Sequence, residues 1–143
     1  MLEIVDEKSM WVGFYKDDPV RPHINQLFRI SDNRKMFGLF DDTLMNCRAI
    51  VCVAFNRDVC TSENDLSNDG NNVATFYTVW SYEKGAGREI ILNTVDWIKQ
   101  NNPDVSRFVT LSPKTEMAKK FHLRNGAFTL QENDDTINYE YEV

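Results

Sequence analysis

The chain has 143 residues, 42% of them hydrophobic and 12% aromatic, a composition that supports one folded domain with a substantial core and excludes a disordered chain. Its formal net charge is −6 and it has no basic block, which argues against nucleic-acid binding because phosphate contacts need clustered Lys and Arg. No apolar run approaches the ~20 residues of a membrane span, so no membrane association is expected.

The chain opens with "MLEIVDEKS", which has no apolar run of export length, and "LEIV" (2–5) reads as a first short strand. "PVRPHINQLFRI" (19–30) reads as a helix, with Ile24, Leu27 and Phe28 on one face. "KMFGLF" (35–40) and "RAIVCVAF" (48–55) read as strands joined by "DDTLMN". The second is apolar throughout and therefore central. Cys52 within it is expected to act as a small buried hydrophobe. The other cysteines, Cys47 and Cys60, form no CxxC pair with it, and an odd count fits a reducing, cytoplasmic setting. With His23 and His122 far apart, no metal site is expected.

The stretch 56–72, "NRDVCTSENDLSNDGNN", reads as a polar loop whose acidic residues form a solvated surface. "VATFYTVW" (73–80) is a strand that Gly85 and Gly87 bring to a stop. A helix follows within 81–103, with Ile91, Leu92, Val95 and Ile98 at helical spacing and Asn101, Asn102 and Pro103 at its end. "SRFVTL" (106–111) is a strand. "SPKTEMAKKFHLRN" (112–125) reads as a helix with Ser112 as N-cap, Pro113 at the first helical position and Gly126 as the stop. "AFTLQE" (127–132) and "INYEYEV" (137–143) read as a closing hairpin around "NDDT". No repeat or linker divides residues 1–143, so a single α/β (α+β) domain is expected.

The strand, glycine turn and helix around "EKGAGRE" suit a phosphate. Small residues let backbone N–H groups approach the anion, and the helix N-terminus adds partial positive charge. Lys84 and Arg88 flank the turn. The same glycines would also serve an ordinary tight turn.

This order of elements resembles the GNAT acyltransferase superfamily, whose members bind CoA thioesters. The resemblance implies a central mixed, mostly antiparallel sheet. It also implies a splay beside Val79 and Ser81 that admits the pantetheine arm. The pyrophosphate turn of that family is written Q/R-x-x-G-x-G/A. Here it falls on Tyr82, Glu83, Lys84, Gly85, Ala86 and Gly87, with Tyr82 in place of the Gln or Arg. The later N-x-x-A motif and the tyrosine four residues after its Ala fall on Thr115, Ala118 and His122. The family's tyrosine protonates the leaving thiolate, and histidine is chemically able to do the same.

"FYT", "FVTLSP", "FHLRNGA", Asn133 and "NYEY" occur in the order of similar phrases in the C-terminal part of malonyl-CoA decarboxylases. The resemblance covers about residues 73–143, with "RPHI" and "RKMFGLF" as fainter upstream echoes. It implies that Ser112 and His122 are catalytic. Serine would hold a carboxylate or donate to the enolate left when CO2 departs, and histidine would supply the proton. That family has a long insertion between its serine and histidine that this chain lacks, and a helical N-terminal domain besides. One straight helix over 113–124 would separate Ser112 and His122 by about 15 Å.

Three readings follow. One is a malonyl-CoA decarboxylase-like enzyme. The second is an N-acetyltransferase using acetyl-CoA and a small or peptide amine, with Glu83 and Asp41 as candidate bases. The third is a CoA-binding module without turnover.

Overall fold

The structure is a computed structural model that describes residues 1–8 and 12–143. Its sheet has eight strands: β1 (Leu2–Val5), β2 (Arg34–Phe40), β3 (Cys47–Asn56), β4 (Val73–Ser81), β5 (Arg107–Thr110), β6 (Ser112–Pro113), β7 (Ala127–Glu132) and β8 (Thr136–Tyr141). Their spatial order is β1-β2-β3-β4-β5-β8-β6, with β7 paired to β8. Every pair is antiparallel except β4–β5. The helices are α1 (Gln26–Ile30), α2 (Ala86–Asn101) and α3 (Glu116–Arg124).

The uninterrupted apolar run of β3 follows from burial on both faces. Ala49, Val51, Val53 and Phe55 join one core, under Ile90, Ile91, Val95 and Ile98 of α2. Ile50, Cys52 and Ala54 alternate with them into a second core with Val5, Ile24, Tyr77, Trp80 and Leu111. The strand period of two explains the division. In β4 that period is broken. Cys52 faces Thr78 while Val53 faces Phe76, so Tyr77 is an extra, bulged residue. Ala74 and Phe76 therefore pack under α2, whereas Tyr77 and Trp80 enter the opposite core.

Four of the sequence expectations are corrected. The helix expected over 19–30 is only α1, capped by the Asn25 side chain, which accepts from the Leu27 N–H at 2.7 Å. Leu27 is 53% exposed, while Arg29 is fully buried. Ile24 and Phe28 pack inward as expected, but Arg29 joins them there because it has an ion partner inside, Asp18, at 2.8 Å. The last helix starts at Glu116, not Pro113, and its cap is Thr115, whose Oγ1 accepts from the Ala118 N–H. Ser112 and Pro113 instead form β6 beside Ile137 and Thr136, in an edge position where proline's missing donor costs nothing. The loop 56–72 is not wholly surface. A 3-10 turn over Glu63–Ser67 buries Leu66, and its carbonyls accept from the side chains of Asn33 and Asn56. Leu92, expected on the buried face of α2, is exposed, and Thr94 is buried there instead.

Candidate functional site

The site begins where the sheet comes apart. β4 and β5 run parallel for four residue pairs, Val73↔Arg107 to Phe76↔Thr110. The Leu111 N–H still reaches the Phe76 carbonyl, at 2.9 Å. Beyond it the two strands diverge. β5 gives way to β6, and β8 follows it, pairing with β5 at Tyr141 and Glu140 and with β6 at Ile137 and Thr136. The β4 edge from Tyr77 to Ser81 that faces away from β3 meets no strand among the described residues. Val79 and Ser81 lie on this open length. The opening itself starts earlier, at the bulge.

The segment before α1 closes one side of the opening. Asp18 accepts from the N–H groups of Val20 and Arg21, from the Thr78 hydroxyl and from Arg29 Nη1. Burial alone would raise its carboxyl, but these donors outweigh it and hold the pKa below the usual value. Arg21 donates through Nη1 to the Tyr77 carbonyl at the bulge and through Nε to Glu63. Glu63 also binds the exposed His23. Sequence reasoning missed Asp18, Arg21 and Thr78 as parts of this wall. Their partners lie up to 60 residues away; the "RPHI" phrase touched Arg21 and "FYT" touched Thr78, and no phrase touched Asp18.

At the far end of the open edge stands the N-terminus of α2. Gly85 is its N-cap, in the left-handed region at φ 84°, with no side-chain cap and open space around it. The first N–H groups of a helix have no intrahelical acceptor. Lys84 and Arg88 are exposed and, among the described residues, form no ion pair. The acidic residues beside them are engaged, since Arg48 holds both Glu83 and Glu89. Ala86 and Gly87 are buried. A Cβ at Gly87 would sit 3.1 Å from Phe121 Cε1, so its smallness serves close packing of α3 on α2. The Tyr82 hydroxyl donates to Asp17 and accepts from Trp80 Nε1 at 3.0 Å. Burial, then Asp17, pushes that hydroxyl's pKa well up.

Ser112 is 4% exposed. Its Oγ lies 2.8 Å from Thr110 Oγ1, which also accepts from the Tyr139 N–H at 3.0 Å. Asn138 braces the same corner. Its Nδ2 donates to the carbonyls of Thr110 and Cys60, and its Oδ1 accepts from Asn133 and Gln131. Asn133 and the Asn of "NYEY" are thus the struts of the bend that carries Ser112.

His122 is 6% exposed, stacked on Tyr139 at 5.3 Å, with Nδ1 2.8 Å from the Tyr141 hydroxyl. Burial lowers its pKa to about 4, so the ring is neutral at pH 7. Among the described residues Ser112 and His122 share no hydrogen bond. Tyr139 links them, its N–H bound to Thr110 and its ring against His122. Cys47, Cys52 and Cys60 are free thiols, and burial pushes each up to about 11.

No protein-family model matches the sequence, and no curated protein matches it. Solved structures do match. The structure is similar to malonyl-CoA decarboxylase from Agrobacterium vitis, with TM-score 0.69 and 21% identity, over 85% of this chain and 35% of that one. The chain thus spans about a third of the length of that decarboxylase. It is similar over its whole length to an IAA acetyltransferase from Bacillus cereus, with TM-score 0.70 and 8% identity, covering 99% of that chain. A Bacillus subtilis acetyltransferase in complex with CoA gives TM-score 0.62 and 10% identity over 99% of this chain and 97% of that one. At these identities the likeness shows the fold: a mixed, mostly antiparallel sheet of the GNAT type, with about a third of the decarboxylase among its neighbours.

Proposed function

We propose that this chain binds a CoA thioester, with the pantetheine arm along the open edge of Tyr77–Ser81 and the pyrophosphate at the turn Tyr82–Arg88. The observation that supports this best is the continuity of the two parts. An edge of β4 that meets no partner strand among the described residues runs directly into a glycine-capped helix N-terminus flanked by two cations that form no ion pair among those residues. Gly87 contributes by packing, while Gly85 leaves the anion room.

For the chemistry, decarboxylation of a malonyl thioester fits best. The motif residues shared with the decarboxylases are the ones that hold Ser112 at the corner of the opening. Decarboxylation needs no base, and the carboxylate built into the wall, Asp18, is saturated with donors and held below its usual pKa. His122, neutral at pH 7, would act as a hydrogen-bond donor rather than as an imidazolium acid.

A second reading, acetyl transfer to an amine, is favoured by one cavity. It has a volume of about 490 Å³ and lies between Arg21, Glu63, Pro113 and the Asp134–Asp135 turn. Its three carboxylates suit a cationic acceptor.

Charge reversal of Lys84 and Arg88 tests the binding site, because neither supports the fold through an ion pair. CoA affinity measured by calorimetry should fall about tenfold or more in Lys84→Glu/Arg88→Glu. An unchanged affinity sinks the site. Incubation with malonyl-CoA, and separately with acetyl-CoA and mixed amines, followed by mass spectrometry of the products, decides between the two chemistries.

A further inference from the structure

We infer that Thr110 is a positioning residue that turns Ser112 into a hydrogen-bond donor aimed at the ligand, and so decides that this serine does not act as a nucleophile. The inference rests on the decarboxylase reading and deepens it. Thr110 is fully buried, at the last β4–β5 pair before the strands separate. Its hydroxyl has two partners among the described residues, the Tyr139 N–H and Ser112 Oγ. An N–H can only donate, so Thr110 Oγ1 accepts from Tyr139 and keeps its own proton to place.

Two arrangements of the pair remain. If Ser112 donated to Thr110, the Thr110 proton would be left without an acceptor among the described residues at a fully buried position, which is a costly state. If Thr110 donates to Ser112, every group at Thr110 is satisfied. The direction then runs from the Tyr139 N–H to Thr110 and from Thr110 to Ser112. One lone pair of Ser112 is filled, and its O–H proton is the group left to give. Among the described residues no base is hydrogen-bonded to Ser112, and His122 Nδ1 is bonded to Tyr141 instead. A serine so held is suited to a developing negative charge, such as the enolate oxygen of a thioester that has lost CO2.

Thr110 also sits where its own carbonyl is fixed by Asn138, so the donor direction is set by a corner with little freedom. Threonine and serine present the same hydroxyl in this place, whereas valine keeps the volume and loses it.

The test is steady-state turnover of malonyl-CoA by the full chain and four variants, with CoA affinity measured beside it. Thr110→Val should lower kcat about 10- to 100-fold with CoA affinity unchanged, and Thr110→Ser should restore it. Adding Thr110→Val to Ser112→Ala should cost far less than Thr110→Val costs alone, the remainder being the Tyr139 N–H that loses its acceptor. If Ser112→Ala loses turnover while Thr110→Val keeps it, the inference is overturned and the role of Ser112 stands. If Ser112→Ala keeps full turnover, or the wild-type chain does not turn malonyl-CoA over, the decarboxylase reading fails and takes the inference with it. Should Thr110→Val not fold, Thr110→Cys replaces it with the same outcomes, since its thiol is the weaker donor.

Discussion

His122 shows what burial does to a residue whose position was plain in the sequence. The pKa drops from 6.5 to about 4 because the ring lies under α3 against Tyr139 and Tyr141. The unfolded chain therefore binds a proton between pH 6.5 and pH 4 that the folded one refuses. The stability contributed by the neutral ring is complete above pH 6.5 and is lost as pH falls toward 4, by about 3 kcal/mol over that range. Urea denaturation at several pH values should show a steep fall for the wild type and a shallower one for His122→Gln. Equal slopes would mean that the ring is not held neutral. The motif "FHLRNGA" marked this residue, but its charge state was not legible. That state depends on two tyrosines 17 and 19 residues further along the chain.

At the scale of elements, local rules found most strands and misplaced two helix starts. Ser112 and Thr115 are equally good caps on local grounds. What chose Thr115 was the pairing of Ser112 and Pro113 with β8, a contact across more than 20 residues. The segment before α1 misled for a different reason. Periodicity counts apolar residues, and the residue this segment buries most completely is Arg29, held by Asp18 and the carbonyls of Arg21 and Ile24. The pair is fully desolvated, so removing one partner leaves a charge stranded. Asp18→Ala should cost roughly 3–5 kcal/mol in chemical denaturation, and the double variant Asp18→Leu/Arg29→Met should cost much less. A loss below about 1 kcal/mol in the single variant would show that the pair is not buried as described.

For the whole molecule, the alternation of strands and helices was legible, and with it the fold type. The bulge at Tyr77 and the parting of β4 from β5 were not, because "FYTVW" reads as an unbroken strand whatever its neighbours do. The sheet separates two cores, and each holds a tryptophan. Trp80 lies in one, and Trp97 packs edge-on to Phe37 at the other. If the two cores stand or fall together, fluorescence from Trp80 alone and from Trp97 alone will each give the same urea midpoint as far-ultraviolet dichroism of the same variant, with Trp11 replaced by phenylalanine in both. Separate midpoints would reveal two independently melting layers.

The parted strands also have a mechanical meaning. The half of the sheet formed by β1 to β4 is fastened to the half formed by β5 to β8 by four rungs, and the remaining length of β4 is an open zip. A slender arm lying along that length would take up backbone groups the protein leaves spare and act as a strap across the seam. Guest and host would then share one hinge. Whatever lets the halves breathe would govern how long the guest stays, and the guest in turn would set how stiffly they are joined.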